Sequence, residues 1–169
     1  MSVVEAKRDH RLFRAALLAL AYPGRRLVAE PARNESWSSM QLALRLVGAI
    51  WNEAADRQSA ADAEEADVLL VAGETSDGLV LRARRGSEEY PERGATIIYA
   101  VSGETETRVR LHGPGVDGVL ETTLPLTPQE LRDRACACAA SPLGIDLLVA
   151  LPDGSVLGVP RTTAVEVLA

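Results

Sequence analysis

The sequence predicts an α/β protein, a mixed β-sheet with helices on both faces. Three observations lead there. Helical and strand periodicities interleave along the chain and do not fall in separate blocks. Ile145–Val149 is an apolar run bounded by Pro and Gly, as a strand buried on both faces requires. Arg108–Leu111 instead alternates charged and apolar residues, the pattern of a half-exposed antiparallel strand. A chain of 169 residues forms one domain, spanning 1–169, and can bury a full core without metal or disulfide help.

Taken in order, the first helix is expected over Asp9–Ala21, with Leu12, Phe13, Ala16, Leu17 and Leu20 as one stripe, stopped by Pro23-Gly24. Leu27–Glu30 suits a short strand. A second helix is expected over Ser36–Ala55, where Trp37, Met40, Leu44, Val47 and Trp51 recur at helical spacing. Both tryptophans read as core anchors. The acidic, alanine-rich stretch Arg57–Asp67 reads as a solvated loop or helix end. Val68–Ala72 is a strand, and Leu79–Arg85 a turn of helix closed by Gly86. Gly94–Val101 is a β-branched strand, and Val119–Leu124 the return partner of Arg108–Leu111. Thr127-Pro128-Gln129-Glu130 opens the third helix with a capping box and proline at its first position. Leu131, Ala135, Cys138 and Ala139 are expected on one side of it, and Pro142 ends it. Val156–Val159 completes a hairpin with Ile145–Val149 through the Pro152-Asp153-Gly154 turn.

Composition excludes several classes. A net charge of -6 without a basic run argues against nucleic-acid binding. Arg14 breaks the apolar run of the first helix, so a signal peptide is not expected, and no run is long enough for a membrane span. Cys136 and Cys138 are the two cysteines, too poorly aimed at one another for an easy bridge. Reduced thiols fit a cytoplasmic location. His10 and His112 are far apart and no HExxH or CxxC occurs, so no metal site is expected.

Gly113-Pro114-Gly115-Val116-Asp117-Gly118 matches GxGxxG, but a strand pattern follows where a dinucleotide site needs a helix, so these glycines read as turn residues. No GxxxxGK[ST] and no GxSxG occurs. Two features invite a ligand. Arg161-Thr162-Thr163 can hold phosphate or phosphonate oxygens through a guanidinium fork and hydroxyls. Glu92, in the polar approach Glu88–Gly94, can add a carboxylate. The competing reading pairs Arg161 with Asp146, an acid inside a buried strand that needs a partner. For Glu92 the competing reading is a solvated loop. No catalytic residue is assigned.

Five blocks, in order, carry a family resemblance. Phe13-Arg14 through Pro23-Gly24 resembles FRxLLxAMxxPG. Pro91–Thr96 matches PExGAT, and Arg110–Gly115 is similar to an LxGPG turn. Pro142–Asp146 matches PLGID, and Pro160–Glu166 matches PRTTxVE. Together they resemble the PhnH family of the carbon–phosphorus lyase system. Between Leu44 and Gly86 the chain lacks the PVWL-like strand and RFH stretch of that family and is shorter. The resemblance implies an accessory subunit of the phosphonate-degrading core complex. With subunits G, I and J, that complex joins methylphosphonate to the ribose of ATP with loss of adenine. It also implies a fold similar to the pyridoxal-phosphate transferases without their cofactor, and Lys7 is the one lysine available to the chain. It implies a homodimer, or packing on a related domain of the J component. It carries over no catalytic residue and no cofactor.

Overall fold

The computed structural model describes residues 3–29, 37–50 and 63–169. The elements are α1 (Val3–Ala21), β1 (Leu27–Val28), α2 (Ser39–Ile50), β2 (Val68–Ala72), α3 (Leu79–Arg82), β3 (Thr96–Ala100), β4 (Thr107–His112), β5 (Val119–Leu124), α4 (Pro128–Ala137), β6 (Asp146–Ala150), β7 (Ser155–Val159) and β8 (Ala164–Val167).

The α/β class holds, but the strands form two sheets where one was expected. The main sheet has five strands in the order β1-β7-β6-β3-β2. Its β2, β3 and β6 run parallel, β7 runs antiparallel to β6, and β1 runs antiparallel to β7. A second, antiparallel sheet of three strands runs β5-β4-β8. The sequence pattern explains the division. Every residue of β3 is buried, whereas β4 buries Thr107, Val109 and Leu111 and turns Arg108 and His112 to solvent. A strand with one apolar face belongs in an outer layer, and the centre of a doubly covered sheet takes strands apolar on both sides.

Helices do cover both faces. On one face α1 and α2 pack Leu12, Ala16, Ala19, Leu42 and Leu46 against Ile98, Leu148 and Val156. On the other, α3, α4 and the small sheet pack Val80, Leu131, Val109, Leu111 and Leu124 against Ile97, Tyr99, Leu147 and Val149. Each fully buried aliphatic side chain contributes roughly 1.5–3 kcal/mol. Gly158 in β7 sets the closest approach: a Cβ there would lie 2.5 Å from the main chain of Ala19. Only glycine lets α1 rest on the strand at that point.

Local chemistry moves several boundaries. α1 begins at Val3, six residues before Asp9. α2 begins at Ser39, not Ser36, because Ser38 and Gln41 form a capping box: Gln41 N donates to Ser38 Oγ at 3.2 Å and Ser38 N to Gln41 Oε1 at 3.0 Å. It is described to Ile50; Trp51 and the expected end at Ala55 lie outside the described residues. α3 stops at Arg82 because Ala83 turns extended, so Gly86 does not close it. α4 opens as expected, with Thr127 Oγ1 accepting from Glu130 N, but ends at Ala137, well before Pro142. β8 is an element the sequence pattern does not predict.

The expectations for Trp37 and for the turn glycines are met. Trp37 is buried, with the Arg45 guanidinium 4.8 Å from its ring centroid. The glycines after β4 form a turn, and a strand, β5, follows it in place of the helix a dinucleotide site needs. Of the acidic stretch expected to be solvated, residues 57–62 lie outside the described residues; in the remainder Glu64, Glu65 and Asp67 are exposed while Ala63 and Ala66 are buried. Both cysteines are free. Among the described residues, no helix is long and apolar enough to cross a membrane, and no three His, Cys, Asp or Glu side chains form a group that could hold a metal.

Candidate functional site

The three parallel strands begin at one end of the main sheet, and antiparallel β7 ends there. Three connections therefore meet: residues 85–95 before β3, residues 138–145 before β6, and the turn 160–163 after β7. Thr96 and Asp146, the first residues of β3 and β6, are register partners.

Arg161 ties the three together. Its Nε lies 3.2 and 3.1 Å from the two Asp146 oxygens, and its Nη2 donates to Asp146 Oδ2. Nη1 donates to Pro91 O, and Nη2 reaches Gly94 O at 3.3 Å. The Arg161 main-chain N–H also donates to Asp146 Oδ1, at 2.7 Å. The pair is mostly buried, with side-chain exposures of 14% for Arg161 and 18% for Asp146. Gly94 makes the approach possible, since a Cβ there would collide with Gly144 O and with Arg161 Nη1.

A second arginine holds the same turn from beneath. Arg134 of α4 is 1% exposed and donates to Thr163 O at 2.6 Å and Pro160 O at 2.5 Å. Burial pushes its guanidinium below its ordinary pKa, opposed by Cys138 and Asp146. Cys138 packs under the connection to β6, its thiol 3.6 Å from Ile145 O.

The four residues singled out for ligand binding are thus brought to one place, in different states. Arg161 is engaged with Asp146 and two carbonyls. Thr163 is buried at 1% exposure. Thr162 and Glu92 are exposed on either side of the clamp. Glu92 sits in a 3-10 turn, Pro91–Arg93, whose Arg93 guanidinium lies 4.5 Å from the Tyr90 ring centroid. Chemically the arrangement fixes loops. Of the four residues, Thr162 presents a hydroxyl and Glu92 a carboxylate at the surface.

The remaining sequence blocks join this seam. A Cβ on Gly113 would lie 2.7 Å from Thr162 O, and one on Gly115 would collide with Ala21 O. Gly24 N donates to Gly158 O at 3.1 Å. All five blocks therefore run through contiguous backbone contacts from the end of α1 to the start of β3.

A separate polar cluster lies at the opposite end of the parallel strands. The Tyr99 hydroxyl donates to Glu130 Oε1, Ser76 N donates to Oε2 at 3.0 Å, and Thr75 Oγ1 lies 3.3 Å from Oε2. Glu130 is 1% exposed and Tyr99 is fully buried. Burial first, then the Glu130 carboxylate, push the Tyr99 phenol above its ordinary pKa. This cluster pins the first turn of α4 to β3 and to the loop after β2. Nearby, Ser102 N and Oγ donate to Glu74 Oε1, which holds that carboxyl below its usual range.

Sequence reasoning missed Arg134, Glu130 and Tyr99. It expected the inward side of α4 to be Leu131, Ala135, Cys138 and Ala139; the buried residues are Glu130, Leu131, Arg134 and Ala137. Glu130 and Arg134 are spaced like a surface ion pair on a helix. Their position one turn apart beside Leu131 and Ala137 was the available signal that both face inward.

Fold and site together define a small mixed α/β protein whose distinguishing loops are clamped to one another. A family model described as "Bacterial phosphonate metabolism protein (PhnH)" matches residues 49–166. A protein of Stutzerimonas stutzeri described as "Putative C-P lyase subunit protein HtxG" is 30% identical over 178 aligned residues, covering 96% of this chain and 88% of that protein. The chain belongs to the PhnH family of phosphonate metabolism proteins.

Proposed function

We propose that this chain is an accessory, non-catalytic subunit of a bacterial carbon–phosphorus lyase complex. It supports formation of ribose 1-methylphosphonate 5-triphosphate from ATP and methylphosphonate. One observation carries the reading: the blocks that mark the family meet in a clamp whose charged groups are bonded to each other and to backbone. A group held in this way stabilises loops and is a poor nucleophile or proton carrier, because its donors are already engaged. The description of the Stutzerimonas relative as a lyase subunit supports the same role. On this reading the partners are subunits G, I and J, the chain pairs with a second copy or with a related domain of J, and the setting is the cytoplasm. The fold is of pyridoxal-phosphate transferase type without the cofactor. The experiment is deletion in the host with growth on methylphosphonate, together with co-purification of the tagged chain. Loss of growth and recovery of G, I and J are expected. Normal growth of the deletion strain, with none of the three recovered, would defeat the proposal.

A second reading rests on Thr162 and Glu92, exposed on either side of Arg161. There the rim of the clamp binds a phosphonate or a nucleotide. Calorimetry with methylphosphonate and with ATP, on wild type, Thr162→Val and Glu92→Gln, decides it. Heat that both substitutions reduce supports binding, and no heat with wild type removes it.

A further inference from the structure

α1 and β1 enclose a groove of about 390 Å³, lined by Arg11, Arg14, Ala15, Leu18, Leu27 and Val28. Neither the clamp nor the Tyr99 cluster uses it. Its walls differ in chemistry. Lys7, Arg11, Arg14 and Leu18 are spaced four, three and four residues apart, so they form one stripe along α1 beside the groove. The facing wall is β1, an edge strand of the main sheet. Among the described residues β1 pairs with β7 alone. The floor is aliphatic, and Val28 is 68% exposed.

The charge here runs against the rest of the molecule. The net charge of the chain is -6, yet Lys7, Arg8, Arg11, Arg14, Arg25 and Arg26 stand against Asp9 alone over residues 7–29. Of these, Arg26 is paired with Asp153 at 3.9 Å; elsewhere Arg84, Arg110 and Arg161 are matched to carboxylates. Among the described residues Arg11 and Arg14 have no such match.

We infer that this groove is a docking surface for an acidic, extended segment of a partner polypeptide. Carboxylates on one side of that segment meet the Lys7–Arg11–Arg14 stripe. Apolar side chains between them fill the Leu18–Leu27–Val28 floor, while its backbone lies along the edge of β1 that no other described strand occupies. Alternation of side chains along an extended strand supplies that two-sided chemistry, and a sheet edge supplies main-chain hydrogen bonds. Charge complementarity steers the encounter and makes it salt-dependent. Of the apolar stripe expected on α1, Leu12 and Ala16 are buried in the core while Phe13 and Leu17 are exposed, so the vesicle arm of the test below decides against a membrane surface. A nucleic acid fits less well, because the floor is aliphatic and not aromatic. The identity of the partner as a lyase subunit rests on the function proposed above; the chemistry of the groove does not.

The test uses the full chain and a fluorescein-labelled peptide of alternating Glu and Val, followed by anisotropy. Binding that weakens with salt is expected. Arg11→Glu with Arg14→Glu should weaken it about tenfold or more. Val28→Lys should also weaken it, and Arg132→Glu on the exposed side of α4 should leave it unchanged. Far-UV circular dichroism checks that each variant is folded. No binding of the peptide, equal binding by the double variant, or tighter binding of an oligonucleotide or of phosphatidylglycerol vesicles at the same residues overturns the inference. Co-expression with subunits G, I and J then separates the two proposals. Retention of wild type but release of the double variant supports both. Retention of both proteins alike overturns the groove. Failure of wild type to co-purify counts against the proposed complex, and the peptide result still decides the groove.

Discussion

Replacing Arg161 with methionine should be among the most damaging single changes in the protein. The substitution removes a mostly buried cation that bonds both Asp146 oxygens, Pro91 O and Gly94 O. Asp146 then keeps the Arg161 main-chain N–H and loses its counter-charge. Removing one member of a buried ion pair costs about 3–5 kcal/mol, because the other charge is left uncompensated. For a chain of this size that corresponds to a fall of roughly 6–20 °C in Tm, at about 2–4 °C per kcal/mol. Asp146→Leu should cost less, since the guanidinium would keep its two carbonyl partners. The double variant should cost clearly less than the sum, with a coupling of about 2 kcal/mol or more. Urea denaturation of the four proteins measures each corner of that cycle. A loss below about 1 kcal/mol for Arg161→Met, or additivity within about 0.5 kcal/mol, would show that the clamp does not hold the three connections together.

Three other outcomes follow from the same structure. Tyr99→Phe strips Glu130 of one donor and should cost about 1–3 kcal/mol. The variant also carries a pH signature. With its phenol raised above the usual 10.0, Tyr99 keeps its proton in the folded chain after the unfolded chain has released it. Stability from this group is therefore full below that pH and falls as the pH rises beyond it. Thermal melts across the alkaline range should show a shallower decline for Tyr99→Phe than for wild type; parallel declines would count against a buried phenol. Gly94→Ala forces a Cβ into Gly144 O and Arg161 and should cost about 1–3 kcal/mol or more. Gly118→Ala, in open space but at φ 66°, should cost only the left-handed penalty of about 1–2 kcal/mol. Equal urea midpoints for the two alanine variants would refute the steric account. Thr127→Ala should lose about 1 kcal/mol of N-cap energy, read as a shifted urea midpoint.

Local chemistry with one dominant cause is legible in the sequence: the Thr127-Pro128 start of α4, the β4–β5 pairing, the hairpin of β6 and β7, and the turn glycines 113–118. The Asp146–Arg161 pair is legible as one of two readings, because an acid in an otherwise apolar strand requires a partner and Arg161 is a cation just past the hairpin. The division into two sheets escapes such a reading, although the alternation in β4 contains it, because pairing between strands far apart in sequence leaves no local trace. β8 escapes it for the same reason: Val165 and Val167 are only partly buried, and the strand forms by pairing with β4. Arg134 and Glu130 stay hidden because polar residues on a helix suggest solvent. Their partners are main-chain carbonyls and residues more than 25 positions away. The shared position of Arg161, Thr162, Thr163 and Glu92 follows the order of the family blocks. Whether each side chain is free or engaged depends on backbone carbonyls that no motif names.

The clamp also bears on the order in which the chain can fold. Arg161 bonds to Pro91 across 70 positions and to Gly94 across 67. Arg134 reaches Thr163 across 29. Closing loops of that length costs entropy before any contact repays it. The helices and the β6–β7 hairpin can form from local contacts, but the seam cannot close until the segment around residues 160–163 has been synthesised and docked. Among the described elements, β8 alone follows those residues. A newly made chain that stops short of residue 160 would contain nearly every element of the fold and lack its fastener. Its three connections would be untied, and β4, lacking β8, would have one edge open to pairing with other chains.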